Sequence, residues 1–197
     1  DAAASLGGAV NALGYCMGGT LLYAAAAGRP DLFKKLITLS APWDFHAGDP
    51  AMRSQVMTGS ASALQLLETK NFLPVDWIQT VFAHVNPRLA LDKFSSFLDM
   101  AGDDADLFVA VEDWLNGGQD LSAGVARTCI LDWYGHNTPA SGVWVDLTVL
   151  KNHPLLLIAA GRDILVPPDS AVAAAQYFRN ATILRPEMGP SPGAPPH

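Results

Sequence analysis

Hydrophobic residues form short, nearly continuous runs in the first and last quarters of the chain. The runs at residues 10–15, 35–40 and 154–160 each predict a buried strand, because strands covered on both faces carry nearly continuous apolar residues. Residues 17–27 combine good helix formers after two small residues, and Gly28 begins the segment that ends this helix. A strand, a helix and a strand in succession form a βαβ unit, which predicts a parallel sheet covered by helices.

The hydrophobic pattern changes at residues 46–150, where apolar positions recur at helical spacing. This period near 3.6 residues predicts amphipathic helices around a small core of their own, and no convincing strand is predicted. The α/β pattern resumes afterwards, with a helix at residues 171–178 capped by Asp169 or Ser170 and a last strand at residues 181–184. The three apolar groups in the middle region are Leu89, Phe94, Phe97 and Leu98; Phe108, Val111, Trp114 and Leu115; and Val125, Cys129, Ile130 and Trp133.

The composition is that of a folded globular chain. Its 197 residues suit one domain with a sizeable core, and 50% hydrophobic with 16% charged residues excludes a disordered or fibrous protein. No apolar run reaches the roughly 18–20 residues of a membrane span, and no secretory signal pattern is visible at the start. A net charge of −7 without a Lys/Arg cluster argues against nucleic acid as a partner.

Candidate chemistry is concentrated at Cys16. The sequence Gly-Tyr-Cys-Met-Gly-Gly at residues 14–19 lies between a predicted strand and a predicted helix, which is the nucleophile-elbow pattern with Cys in place of Ser. The free N–H groups of the helix N-terminus, that of Met17 first, can hold an oxyanion, and the helix dipole is expected to lower the thiol pKa. A free cysteine is more often a buried small hydrophobe, but the motif favours a nucleophile here; at Cys129 the structural role is favoured.

Three glycines belong to the predicted elbow: Gly14, Gly18 and Gly19. We expect Gly14 and Gly18 to flank a sharp turn at which a larger side chain would clash. The turn would then present the Cys16 thiol at the carboxyl end of the strand.

A cysteine nucleophile needs a base, and the base needs an orienting acid that precedes it in the chain order of α/β-hydrolases. Asp163 follows a buried strand and fits the acid; the alternative is a turn or capping aspartate. No histidine follows Asp163 except His197 in the proline-rich tail, so the catalytic histidine is not identifiable. The histidines before it, of which the first and third border the middle region, are assigned surface or capping roles: His46, His84, His136 and His153.

These features predict an α/β fold: a partial α/β-hydrolase with a mostly parallel sheet and a helical cap insertion. Residues 1–45 form the first part of the core, residues 46–150 the cap, and residues 151–189 the second part of the core. Residues 190–197 form a tail that can be neither helix nor central strand. Two cysteines make neither a disulfide framework nor a metal site, so a reducing cytoplasm and no metal are predicted.

At its motifs the chain resembles the polyhydroxyalkanoate synthase family. Residues 14–20 match the family's lipase-like box with a cysteine nucleophile, and residues 161–167 match its acid loop. The resemblance extends over residues 7–189. Further matches lie at residues 41–45, 108–116 and 133–139.

The resemblance implies a reaction and residues for it. Cys16 would accept the acyl group, Asp163 would be the acidic partner, and the N–H of Met17 would stabilise the oxyanion. The reaction would polymerise (R)-3-hydroxyacyl-CoA into polyester and release CoA, which makes the CoA thioester a substrate and requires no cofactor. The resemblance also implies a cytoplasmic protein associated with polyester granules and a homodimer formed through the cap.

The chain departs from the family's pattern where the histidine is expected. The family has a Gly-His pair after the last strand, whereas Gly189 is followed here by Pro190. The first half of the sheet is also missing, so an incomplete and inactive catalytic domain with an exposed sheet edge and poor solubility is expected.

Two other functions remain open. One is a cysteine-dependent hydrolase, either of the dienelactone hydrolase type, which shares the elbow and the acid loop, or one acting on polyesters or thioesters. The other is a catalytically dead, granule-associated member of the family.

Overall fold

The computed structural model describes residues 5–85 and 87–187. The elements follow in the order β1 (Val10–Tyr15), α1 (Met17–Gly28), β2 (Phe33–Leu39), α2 (Ala51–Lys70), β3 (Phe72–Leu73), α3 (Val75–Val85), α4 (Leu89–Phe97), α5 (Asp103–Asn116), β4 (Leu121–Ser122), α6 (Ala123–Arg127), β5 (Leu155–Ile158), α7 (Pro168–Val172) and β6 (Ala181–Leu184). A π-helix spans Thr128–Gly135, and 3-10 helices span Pro30–Leu32, Leu147–Leu150 and Ala173–Tyr177.

The main sheet has four parallel strands in the order β1-β2-β5-β6. Leu39 of β2 pairs with Tyr15 of β1 on one side and with Ile158 of β5 on the other, and Ile158 pairs with Leu184 of β6. All four strands therefore end at the same edge, where ligand sites of parallel sheets form. The predicted strands and the parallel sheet are confirmed, but the predicted burial of residues 10–15 is wrong: β1 stands at the edge of the sheet and Leu13 is 64% exposed.

Helix α1 and the 3-10 helices at Leu147–Leu150 and Ala173–Tyr177 pack with the inner strands in one hydrophobic core. Tyr23, Leu36 and Trp43 have no exposed surface. The Tyr23 hydroxyl shares a hydrogen bond of 3.0 Å with the Thr38 hydroxyl, and the Thr20 hydroxyl donates to the Pro42 carbonyl at 2.6 Å. This core fixes the strand ends on which the candidate site stands.

The residues between β2 and β5 build a second hydrophobic cluster. It includes Phe45, Val56, Leu67 and Trp133. Of the predicted apolar groups, the third contributes to it through Ile130 and Trp133, with Cys129 packed against it. Trp144 packs against both clusters, and its ring lies 4.8 Å from that of Trp133, so the second cluster is continuous with the core of the sheet.

Parts of the middle region differ from the prediction. A two-stranded antiparallel sheet joins β3 to β4, which is too short to leave an alternating pattern in the sequence. Phe94 and Phe97 pack on Phe108, but Leu98 is 83% exposed and Trp114 is 65% exposed. Helices α4 and α5 thus pair with each other through these rings, and the described residues of the two predicted apolar groups are not part of the buried cluster.

The helix after the acid loop also begins earlier than predicted. Helix α7 starts at Pro168 with Pro167 before it, and neither Asp169 nor Ser170 caps it through its side chain. The Ser170 carbonyl accepts the Trp43 N–H at 3.2 Å, while Asp169 pairs with Arg185 at 3.7 Å. Proline is favoured at the first helical position because it has no backbone N–H, so no capping partner is needed there.

Among the described residues, no helix combines the length and hydropathy that a membrane span requires. Gly189, the predicted tail at residues 190–197 and its His197 lie outside the described residues.

Candidate active site

Cys16 occupies the turn between β1 and α1. Its backbone has φ 51° and ψ −132°, a conformation that residues with a side chain rarely adopt. The Cys16 N–H donates to the Leu39 carbonyl at 2.9 Å, and the Gly19 N–H donates to the Cys16 carbonyl at 2.8 Å. Strain held in place by such bonds is frequent at functional sites, and this is the sharp strand-to-helix turn that the elbow pattern predicted.

Two of the three elbow glycines are required by close packing. A Cβ at Gly14 would collide with the backbone of Gly19, and a Cβ at Gly19 would collide with the side chain of Ala41. A Cβ at Gly18 would meet nothing within 4 Å, so the predicted clash at Gly18 is wrong. The constraint arises because β1, α1 and the loop after β2 converge at Gly14 and Gly19.

Burial controls the acidity of the Cys16 thiol. Burial raises the pKa of Cys16 to about 11, the hydrogen bond from the Met17 N–H lowers it, and the Asp163 carboxylate raises it again. The helix N-terminus thus acts in the predicted direction, but the predicted net lowering is wrong because desolvation outweighs it. A base or a nearby donor must therefore assist formation of the thiolate at neutral pH.

Asp163 lies in the loop after β5 and is only 6% exposed. Its Oδ1 accepts the N–H groups of Leu165 and Val166, both at 2.9 Å, so the carboxylate organises the turn. Burial raises the pKa of Asp163, while these two N–H groups and the Ser40 hydroxyl lower it. The Ser40 hydroxyl is buried and makes no hydrogen bond of standard geometry.

The sheet brings Cys16, Ser40 and Asp163 to one edge, each just beyond the carboxyl end of a strand. The strands concerned, β1, β2 and β5, are neighbours, and the Ser40 N–H donates to the Ile158 carbonyl at 2.8 Å. The sequence analysis assigned no role to Ser40. The only feature of the sequence that points to it is its position directly after an apolar run. Its φ of 44° marks a second strained backbone position beside the elbow.

The histidines before Asp163 are engaged elsewhere or exposed. The Nε2–H of His46 donates to the Tyr134 carbonyl at 3.0 Å, and that of His153 donates to the Pro30 carbonyl at 3.1 Å. His84 bonds within its own helix, and His136 is exposed. In the described part of the chain, no hydrogen bond joins a histidine to Cys16 or Asp163.

A shallow cleft lies between the loop after β2, the acid loop and the helical region. Sequence reasoning assigned no role to Arg53 or Tyr134, although Tyr134 belongs to a segment that carried the resemblance. The lining of the cleft includes Phe45, Met52, Arg53, Tyr134, Leu165 and Val166.

Within residues 5–85 and 87–187, no group of three or more His, Cys, Asp or Glu side chains is placed to hold a metal ion.

Comparison with known families decides how this arrangement is classified. The model of the alpha/beta hydrolase fold family matches residues 3–190. The chain belongs to the alpha/beta hydrolase fold family. The predicted fold class is thereby confirmed. The crystal structure of a monoacylglycerol lipase from Paleococcus ferrophilus superposes with a TM-score of 0.54 at 18% identity, covering 93% of this chain and 60% of that one.

Within the alpha/beta hydrolases, the chain is similar to polyhydroxyalkanoate synthases, as its motifs predicted. It is 28% identical over 181 residues to the poly(3-hydroxyalkanoate) polymerase subunit PhaC of Synechocystis sp., covering 86% of this chain and 48% of that protein. The corresponding subunit of Allochromatium vinosum is 28% identical over 173 residues, with 83% and 48% covered. The chain thus spans about half the length of these curated relatives.

Proposed function

We propose that Cys16 is the acyl-accepting nucleophile of a polyhydroxyalkanoate synthase that extends a polyester from (R)-3-hydroxyacyl-CoA. The observation that carries this proposal is the strained backbone of Cys16 in the turn between β1 and α1, at the N-terminus of the helix that begins with Met17. Two PhaC relatives, each matched over most of this chain, support the substrate class.

The proposed step exchanges one thioester for another. The Cys16 thiol loses its proton to a base, and its sulfur attacks the thioester carbonyl of the substrate. The carbonyl oxygen becomes an oxyanion that the Met17 N–H can stabilise. The bond between the carbonyl carbon and the CoA sulfur then breaks, and the CoA thiolate leaves and takes up a proton.

Chain extension would follow from the hydroxyacyl group held on Cys16. The 3-hydroxyl of a second hydroxyacyl-CoA attacks the carbonyl carbon of the acyl group on Cys16 and loses its proton to the base. The bond between that carbon and the Cys16 sulfur breaks, the Cys16 thiolate leaves and takes up a proton, and the new bond is an ester. A thioester intermediate suits this step because the acyl group remains transferable. Asp163 is proposed as the acidic partner that orients the base, and residues 46–150 as a cap that excludes water from the intermediate. No cofactor is needed.

The test adds imidazole as an external base, because no described histidine forms a hydrogen bond with Cys16. CoA release from 3-hydroxybutyryl-CoA is measured with and without added imidazole, for the unchanged chain, for Cys16→Ala and for Cys129→Ala. We expect imidazole to stimulate CoA release in the chain and in Cys129→Ala but not in Cys16→Ala, and products longer than one hydroxyacyl unit to appear.

The products separate the alternatives. Free hydroxy acid as the only product would contradict the synthase and indicate a hydrolase. CoA release that is the same in Cys16→Ala and in the unchanged chain would contradict a nucleophilic role and favour a non-catalytic family member. Inactivity of the chain without added base, a cytoplasmic location, granule association and a homodimer through the cap stay predictions.

A further inference from the structure

The cleft beside the acid loop combines apolar walls with a cation. Phe45, Met52, Leu165 and Val166 supply much of the lining, and the cleft has a volume of about 280 Å³, part of it open to solvent. Arg53 of α2 also lines it and is half-buried. The reaction proposed for Cys16 has so far made no use of this cleft.

The guanidinium of Arg53 is oriented by the neighbouring π-helix. Its Nε–H donates to the Tyr134 carbonyl at 3.2 Å, and the Nε2–H of His46 donates to the same carbonyl at 3.0 Å. The segment that carries Tyr134 is itself tied to the loop after β2, because the Asn137 side chain donates to the Asp44 carboxylate at 2.8 Å. Arg53 is therefore positioned before any ligand binds.

Within the described chain, the terminal nitrogen atoms of Arg53 form no hydrogen bond and no ion pair. Asp49 also lines the cleft, but its Oδ1 accepts the Ala51 N–H at 2.9 Å and it does not pair with Arg53. Arginine side chains that lose contact with water are usually paired with an acceptor or an opposite charge. The terminal N–H groups of Arg53 are thus available to an anion.

Helix stability does not explain a cation at this position. Helix α2 begins at Ala51, so Arg53 lies in its first turn, where the helix dipole disfavours a positive charge. The apolar walls of the cleft lower the local dielectric, which strengthens the attraction between the guanidinium and an anion. The planar fork of a guanidinium matches the oxygen atoms of a phosphate, to which it can donate two hydrogen bonds at once.

Building on the proposed function, we propose that Arg53 binds a phosphate group in the CoA part of the substrate. The phosphates of CoA lie at the far end of the pantetheine arm from the thioester. The residue that binds them therefore stands away from Cys16, and the apolar walls suit the arm itself. Binding of this remote group orients the substrate for the reaction without contact with the reacting carbonyl. Asp49 opposes an anion in the same cleft, which gives the proposal a second prediction of opposite sign.

The test measures binding without turnover. CoA, and pantetheine, which lacks the phosphates, are each titrated by calorimetry into Cys16→Ala, so that no covalent step at Cys16 contributes. We expect Arg53→Gln in this background to weaken CoA binding by about tenfold, because hydrogen bonds between two charged groups are lost. Binding of pantetheine should be the same with and without this substitution.

Arg127→Gln is the matched control, because it removes the same charge from an exposed arginine that does not line the cleft. It should leave CoA binding unchanged. Asp49→Asn keeps an acceptor for the Ala51 N–H and should bind CoA more tightly than its parent. Circular dichroism verifies that each variant is folded.

Four results overturn the proposal: no CoA binding in the parent, equal CoA binding in folded Arg53→Gln, equal weakening in Arg127→Gln, or an equal loss for CoA and pantetheine. The proposed function fails separately. If CoA binds through Arg53 but the chain releases no CoA from 3-hydroxybutyryl-CoA, the proposed reaction is wrong and the binding site stands. If CoA is released but Arg53→Gln binds CoA as its parent does, only the role of Arg53 is wrong.

Discussion

The packing at the elbow predicts opposite effects for alanine at two adjacent glycines. Gly18 and Gly19 both lie in the first turn of α1, so either substitution gains up to about 1 kcal/mol from the better helix propensity of alanine. Only at Gly19 does the added Cβ collide with Ala41 and approach the Gly14 carbonyl oxygen at 3.0 Å. Overpacking of this kind costs about 1–3 kcal/mol.

Gly18→Ala should therefore be as stable as the unchanged chain or more stable, and Gly19→Ala should be less stable than Gly18→Ala by about 1–3 kcal/mol. Because 1 kcal/mol moves the Tm by roughly 2–4 °C in a chain of this size, calorimetry resolves the difference. Alkylation of Cys16 should also change in Gly19→Ala, since the turn must shift. Equal melting temperatures for the two variants would refute the described convergence of β1, α1 and the Ala41 loop.

Two further predictions concern the groups around the elbow. Asp163→Asn removes a negative charge that raises the pKa of Cys16, so the pH midpoint of Cys16 alkylation should move down. Imidazole-stimulated CoA release should fall in the same variant. An unchanged alkylation midpoint would contradict the placement of Asp163 near Cys16. Asn137→Ala removes the hydrogen bonds of the Asn137 side chain to the Phe45 N–H and to the Asp44 carboxylate, and should destabilise the chain by about 1–3 kcal/mol in urea unfolding. Ser141→Ala, which loses one exposed hydrogen bond, should have little effect. Equal effects of these two substitutions would argue against a stabilising role of the Asn137 bonds.

Local signals were sufficient to predict the sheet and the elbow. The run at residues 154–160 is apolar because β5 lies between two neighbouring strands and buries Leu155 and Leu157, and that pattern is visible without the fold. The run at residues 10–15 also predicts its strand, although Leu13 is 64% exposed in β1 at the edge of the sheet. The elbow is a local strand–turn–helix feature, so the position of Cys16 followed from six consecutive residues. Short strands such as Phe72–Leu73 leave no periodic pattern and were missed.

The errors concern quantities that depend on tertiary contacts. Whether Gly18 or Gly19 needs to be a glycine is decided by Ala41, which belongs to another strand's loop. The pKa of Cys16 is set by how deeply the folded chain buries the thiol, which outweighs the local helix N-terminus. The hydrogen bond from Asn137 to the Asp44 carboxylate joins residues 93 positions apart, and no periodic pattern in the sequence reveals it.

Acylation at alkaline pH tests the central claim most directly. Burial raises the pKa of Cys16 to about 11 and that of Cys129 to about 11. At about pH 10, both thiols therefore ionise to a similar extent. Brief incubation with 3-hydroxybutyryl-CoA, followed by peptide mass mapping, then compares the positions of the two cysteines in the fold rather than the acidities of their thiols. The account predicts a hydroxyacyl adduct on Cys16 that is kept in Cys129→Ala and lost in Cys16→Ala. Equal labelling of both cysteines, or labelling of Cys129 alone, would contradict it.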